Sequence, residues 1–273
     1  MLAQHHHGKG QIRVMKVFRQ PDKHYVKQFL VETNLFGPVD ECFLDGDNSG
    51  IVATDTQKNT VFCMLKKLTF ERNAAEQFAM LISRHFVTTY PKFIHSCKVI
   101  IHEETWERVD TGLSAMNTRR VGHQHGFLKV GPQQYYAEAM AYRDFEGDGK
   151  VKVQYLHGGV RSLTVLKTTQ SGFANFVRDQ YTALPECDER LLATSIDATW
   201  KYDRATIEST QDYDAMKSHI KRLMIDGFAG PADTGKFSAS LQETVSRLPY
   251  FLIDTRIVLT KPHFIFFLGL RDG

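Results

Sequence analysis

The sequence is poor in cysteine. Its four cysteines, Cys42, Cys63, Cys97 and Cys187, are scattered with no CxxC pair. That excludes a zinc ribbon and reads as reduced intracellular thiols. The net charge is only +3, with basic residues interleaved among acids. No polybasic arm or stripe results, which argues against nucleic acid as a partner. No apolar run reaches the roughly 18–20 residues of a membrane span; "RIVLTKPHFIFFLGL" is interrupted at Lys261-Pro262. The opening residues lack a charged segment followed by an apolar core, so no secretory signal is expected.

Motifs that come close also fail. "GPADTGKF" from Gly230 has Phe237 where a phosphate-binding loop needs Ser or Thr after its lysine. "DGDNSG" from Asp45 opens like a calcium loop, but its twelfth position is Thr56 and not a bidentate glutamate; it reads as a hairpin turn. His5-His6-His7 and His123-Gln124-His125 have no cysteine or carboxylate partner at ligand spacing and read as solvated. His85 falls on an apolar helix face, where a core or interface histidine is expected. No metal site is expected.

What is present is a globular composition, 42% hydrophobic and 24% charged over 273 residues, long enough for one large domain or two ordinary ones. Residues 10–18 and 24–33 alternate polar and apolar around Pro21-Asp22, the pattern of a β-hairpin. Two stretches of helical period follow, from Thr54 and from Asn73, and then two strand-like stretches. The order recurs from Lys150: strands over 150–158 and 161–169, a helix over 171–184, a strand over 194–203, two helices, and two closing strands. The letters themselves show no repeat. The fold class is α+β, two antiparallel sheets each backed by a helix pair. The turn-rich Glu146-Gly147-Asp148-Gly149 divides domains of 1–146 and 147–273.

Two stretches carry the chemistry. In "VATDTQKNTVF", Val52 to Phe62, three short oxygen-bearing side chains follow an apolar run that reads as a buried strand. Helix capping is the plain explanation. In "LTVLKTTQSGFANFVRDQYTALPECDER", Leu163 to Arg190, Phe173, Phe176 and Tyr181 read as core, and Arg190 as a surface cation.

These two stretches, with "GKGQIRV" and "IDATWKYD" in order between about Lys9 and Gln242, resemble the urate oxidase (uricase) family. The resemblance implies tandem T-fold domains, assembly into a barrel-shaped homotetramer, and active sites at subunit interfaces. It implies oxidation of urate by dioxygen to 5-hydroxyisourate and hydrogen peroxide with no cofactor, neither metal nor flavin. Phe173 would stack on the purine, Arg190 would grip one edge through a bidentate charged contact, and Gln242 would donate and accept beside it. Leu241 would offer its backbone N–H. Thr54 and Asp55 would close the opposite edge from the neighbouring subunit. Lys9 would pair with the threonine to move a proton, and His263 would extend that relay.

The same resemblance marks departures. The family places Pro-Asn-x-His at the oxygen site, whereas "LTKPHF" has Lys261 where Asn is expected, and lysine offers only donors and a charge. More chain is expected after His263 than the ten residues present. The alternative reading is therefore a urate-oxidase-like purine-binding or assembly protein with impaired oxygen activation. A pterin- or nucleotide-hydrolysing T-fold enzyme is disfavoured by the lack of a Cys/His zinc set. The family habit points to the peroxisome; the final "RDG" is not a Ser-Lys-Leu address, which leaves the cytoplasm open.

Overall fold

A computed structural model describes residues 5–110, 122–209, 212–247, 257–259 and 263–266, the last two segments as backbone only. The chain divides into two compact units, one of residues 1–158 with 202–213, the other of residues 159–201 with 214–273.

The first unit is built on β1 (His7–Arg19), β2 (His24–Phe36), β3 (Ser96–Arg108) and β4 (Phe127–Arg143), each antiparallel to the next. Alternation decides which face is buried. Phe29, Val31, Thr33 and Leu35 of β2 all point to one side and are buried. After the short α1 (Asp40–Leu44), α2 (Thr54–Lys67) lies on β1. The longer α3 (Ala75–Thr89) lies on β3 and β4. It can approach β4 closely because the inward positions there are Ala137, Ala139 and Ala141, all fully buried. Phe78, Ile82 and Phe86, four apart on α3, fill the space above them. Each such aromatic or aliphatic side chain contributes roughly 1.5–3 kcal/mol on burial.

β1 holds its place through two backbone features. Its pairing with β2 slips between Lys9 and Ile12, and Gln11 within the slip has a φ of 58°. This bulge re-aims the residues before it. Gly8 packs so tightly on β2 that an added methyl group would run into the Thr33 carbonyl oxygen. Gly8→Ala is expected to destabilise the protein by about 1–3 kcal/mol, read as a fall in Tm; an unchanged Tm would show that the strand can move away.

The second unit takes the latter part of β5 (Val151–Lys167), then β6 (Leu192–Tyr202), α5 (Tyr213–Ala229), α6 (Leu241–Ser246), β7 (Ile257–Leu259) and β8 (His263–Phe266). Both β7 and β8 pair with β6. In β6 every second residue from Leu192 to Trp200 is buried, and Ile220, Met224 and Phe228 of α5 are buried at intervals of four. The short α4 (Arg204–Glu208) belongs to the first unit and is capped by Asp203, which accepts from the Thr206 N–H.

A repeat absent from the letters is present in the geometry. Lys16, five residues after Gln11, donates to the carbonyls of Leu65, Lys66 and Leu68 at the end of α2. Lys167 stands five residues after Ser162, which has a φ of 55°. It donates to the Phe228 and Lys236 carbonyls and to Ser238 Oγ near the end of α5. Burial lowers both ammonium pKa values. Each lysine meets the negative end of a helix.

Several expectations are corrected. Where two strands, 150–158 and 161–169, were expected, Val151–Lys167 is one strand, because Gly158 and Gly159, both buried, continue it. Residues 171–184 form no helix. Gln170 and Asn175 adopt left-handed φ values of 59°, and Asp179 Oδ1 accepts from the Tyr181 N–H and the Thr182 hydroxyl, so a local turn takes the place of helical bonding. Tyr181 is accordingly 83% exposed and not core. Ile51–Ala53 belongs to no strand. "DGDNSG" is no hairpin turn either: it follows α1, with Asp47 Oδ1 accepting from the Ser49 N–H. No helix among the described residues is long and apolar enough to cross a membrane. All four cysteines are free.

Candidate active site

In the first unit, Lys9, Thr54 and Asp55 share one corner. Lys9 is the register partner of Thr33, and such partners project from the same face of the sheet, here the face carrying α2. Asp55 lies within electrostatic reach of Lys9. The capping explanation for this stretch does not hold. The N-cap is Ala53, no side chain caps the helix, and Thr54, Asp55 and Thr56 are all exposed in the first turn. Asp55 is instead fixed by its own helix: Lys58 Nζ donates to one carboxylate oxygen at 2.6 Å and Asn59 Nδ2 to the other at 2.8 Å. The Lys58 hydrogen bond, more than any other influence, holds the Asp55 pKa below the usual carboxylate value.

His7, two residues before Lys9, is held below the ordinary imidazole pKa chiefly by burial, with His6 adding to the effect. A base whose folded pKa is depressed favours the folded state above its unfolded pKa, about 6.5, and that contribution fades as pH falls. The fall in Tm between pH 7 and pH 5 is expected to be shallower in His7→Gln than in the unmodified protein; identical slopes would remove His7 from the account of acid sensitivity. His85 is half-buried beside Phe86, and burial lowers its pKa as well.

In the second unit, three segments are stitched into one platform. Gly172 N–H donates to the Ser238 carbonyl and Ser238 N–H to the Gln170 carbonyl. Phe173 and Cys187 exchange two backbone hydrogen bonds. Arg190 N–H donates to the Ser171 carbonyl, and the Ser171 hydroxyl returns a 2.7 Å bond to the Arg190 carbonyl. Gly172 permits the crossing: a methyl group there would lie 2.9 Å and 3.0 Å from the carbonyl oxygens of Cys187 and Asp188.

The platform places the Arg190 guanidinium 5.2 Å from the centre of the Phe173 ring, which itself stacks on Phe176 at 4.7 Å. Phe173, Phe176 and Arg190 are all half-buried, so neither the core reading for the rings nor the surface reading for the cation holds. Arg190 Nε is buried without a hydrogen-bond partner among the described residues. An unsatisfied buried donor on a cation beside an aromatic face is suited to a flat anion.

Ser240 caps α6 by accepting from the Glu243 N–H, and the same segment, through Ser238, joins the platform. Leu241 is buried and lines a small apolar cavity together with Ile196, Met224 and Phe228, while Gln242 beside it is exposed. β8 brings His263 opposite Asp197 in register. Lys261 lies outside the described residues. Among the described residues no group of His, Cys, Asp and Glu is arranged to hold a metal.

The family model described as uricase matches residues 5–140 and 156–255. The chain belongs to the uricase family. It is 37% identical over 244 residues to uricase-2 isozyme 1 of Glycine max, covering 88% of this chain and 74% of that one. With the uricase of Arabidopsis thaliana it shares 38% over 245 residues, at the same coverage of each. The crystal structure of uricase from Arthrobacter globiformis superposes with a TM-score of 0.76 at 29% identity, over 93% of this chain and 78% of that one. The likeness to that solved structure supports the α+β, antiparallel character of the fold.

Sequence reasoning missed Thr33, Gln57, Ser171, Gly172 and Ser238. One of them left a signal. Gln57, Val61, Met64 and Leu65 are the buried residues of α2, so a glutamine stands on the apolar stripe where an aliphatic residue is the default.

Proposed function

We propose that this uricase-family chain oxidises urate with dioxygen and water to 5-hydroxyisourate and hydrogen peroxide, without metal or flavin. Urate gives up two electrons, dioxygen takes them, and water supplies the new hydroxyl oxygen. The observation that carries this reading is the Arg190 Nε, buried and without a hydrogen-bond partner among the described residues, beside the Phe173 face. Phe173 stacks on the purine, Arg190 and Gln242 hold one edge, and the Leu241 N–H at the start of α6 supports it. Asp55 and the Thr54 hydroxyl meet the opposite edge, and Lys9 moves a proton through Thr54, with His263 extending the path. Thr54 and Asp55 are exposed on their own chain, which supports their serving a neighbouring subunit in a homotetramer of tandem T-fold domains, 1–146 and 147–273. Similarity to uricases over most of the chain favours the oxidising reading over a silent purine-binding protein. Peroxisomal placement rests on the family habit.

The reading is tested by following urate loss and peroxide release together in the unmodified protein and in Lys261→Asn. Turnover in the unmodified protein is expected. Tight urate binding without peroxide, relieved in Lys261→Asn, would instead assign the chain to purine binding.

A further inference from the structure

We infer that Gln57 and Thr33 form a latch that positions Lys9 and Thr54 against each other, an inference that rests on the roles proposed above. Both side chains are fully buried. The Thr33 hydroxyl donates to Gln57 Oε1 at 2.8 Å and is also 3.4 Å from the Lys9 carbonyl oxygen. Gln57 Nε2 donates to the Val52 carbonyl at 2.9 Å. One amide thus joins the strand that carries Lys9's cross-strand partner to the segment that leads into Thr54.

The surroundings make these two bonds consequential. Residues 51–53 belong to no strand, and no side chain caps α2, so regular backbone pairing does not hold the approach to Thr54. On the other side, β1 slips its register immediately after Lys9, so the ladder beyond that residue does not extend evenly to support it. Each catalytic residue sits where its own element is weakly fixed, and the amide bridges the two places. Gly8 adds to this by seating β1 directly on the Thr33 carbonyl. Proton transfer requires the donor and acceptor within hydrogen-bond reach, and a displacement of about 1 Å can cost about a hundredfold in rate. Gln57 and Thr33 touch neither substrate nor oxygen in this arrangement; they are positioning residues.

The test uses the full chain with Gln57→Met, which keeps volume and removes both bonds, Thr33→Val, which removes the hydroxyl, and the double variant. Thr33→Ser keeps the hydroxyl. Each of the first two is expected to lower kcat for urate about 10- to 100-fold with KM changed less than about threefold. The double variant is expected to be no worse than the weaker single, since both remove one device, and Thr33→Ser is expected to retain most activity. Hydrogen exchange, which needs no turnover, is expected to quicken at residues 8–10 and 52–56 together in Gln57→Met. A loss of Tm with kcat per folded molecule unchanged, multiplying effects in the double variant, or faster exchange on one side alone would each overturn the latch. If the unmodified protein does not turn over urate, the proposed reaction fails and the exchange result alone decides the latch.

Discussion

Replacing Arg190 by glutamine is expected to lower kcat/KM for urate by about 30- to 5,000-fold while leaving Tm nearly unchanged. The size follows from what is lost. Removing one partner of a buried, hydrogen-bonded charge pair costs roughly 2–5 kcal/mol, which converts to that range of rate or affinity. The fold is spared because the platform holds Arg190 by its backbone, through the Ser171 carbonyl and hydroxyl, and not by its guanidinium. Arg190→Lys is expected to recover only part of the loss, because an ammonium keeps the charge but not the planar fork. Steady-state kinetics with urate checks both. A variant as active as the unmodified protein would mean that the unpartnered Nε serves no substrate.

Replacing Lys9 by methionine is expected to act differently, lowering kcat about 10²- to 10⁴-fold with KM for urate little altered. Proton transfer is a transition-state role, so its loss does not weaken ground-state binding. Thr54→Ala is expected to fall in the same class, and combining the two is expected to add little, since they act as a unit. A further result separates the two halves of the site. If Thr54 and Lys9 serve a neighbouring subunit, an inactive Lys9→Met chain and an inactive Arg190→Gln chain refolded together regain activity that neither has alone. Continued silence of the mixture, with both variants folded, would place all the residues on one chain.

Much of the fold was legible because local pattern and tertiary burial agree there. The alternation of β1 and β2 and the period of α2 and α3 are written in the residues that become core. The pattern failed where backbone conformation, not hydropathy, decides the outcome. Phe173, Phe176 and Tyr181 sit near helical spacing, yet left-handed Gln170 and Asn175 and the Asp179 turn prevent a helix, and the rings serve a surface. Gly158-Gly159 carries the signature of a turn and is instead the interior of a strand, since nothing local reports that neighbouring strands will hold it.

The candidate residues were legible only through the family resemblance; composition alone assigned Arg190 to the surface and Thr54 to a cap. Structure shows why the plain readings fail: Ala53 is the cap, and Arg190 is half-buried with its Nε unsatisfied among the described residues. What supports these residues could not be read in advance. Thr33, Gly8, Ser171 and Ser238 matter through register and backbone contact across long stretches of chain, and no short motif encodes that.

The most direct measurement is oxygen uptake by the purified, chelator-treated protein on addition of urate, with peroxide counted in the same sample. Uptake that depends on urate, matched one for one by peroxide and indifferent to the chelator, is the expected result. Uptake restored only by an added metal or flavin, or urate bound with no oxygen consumed, would contradict cofactor-free oxidation by this chain.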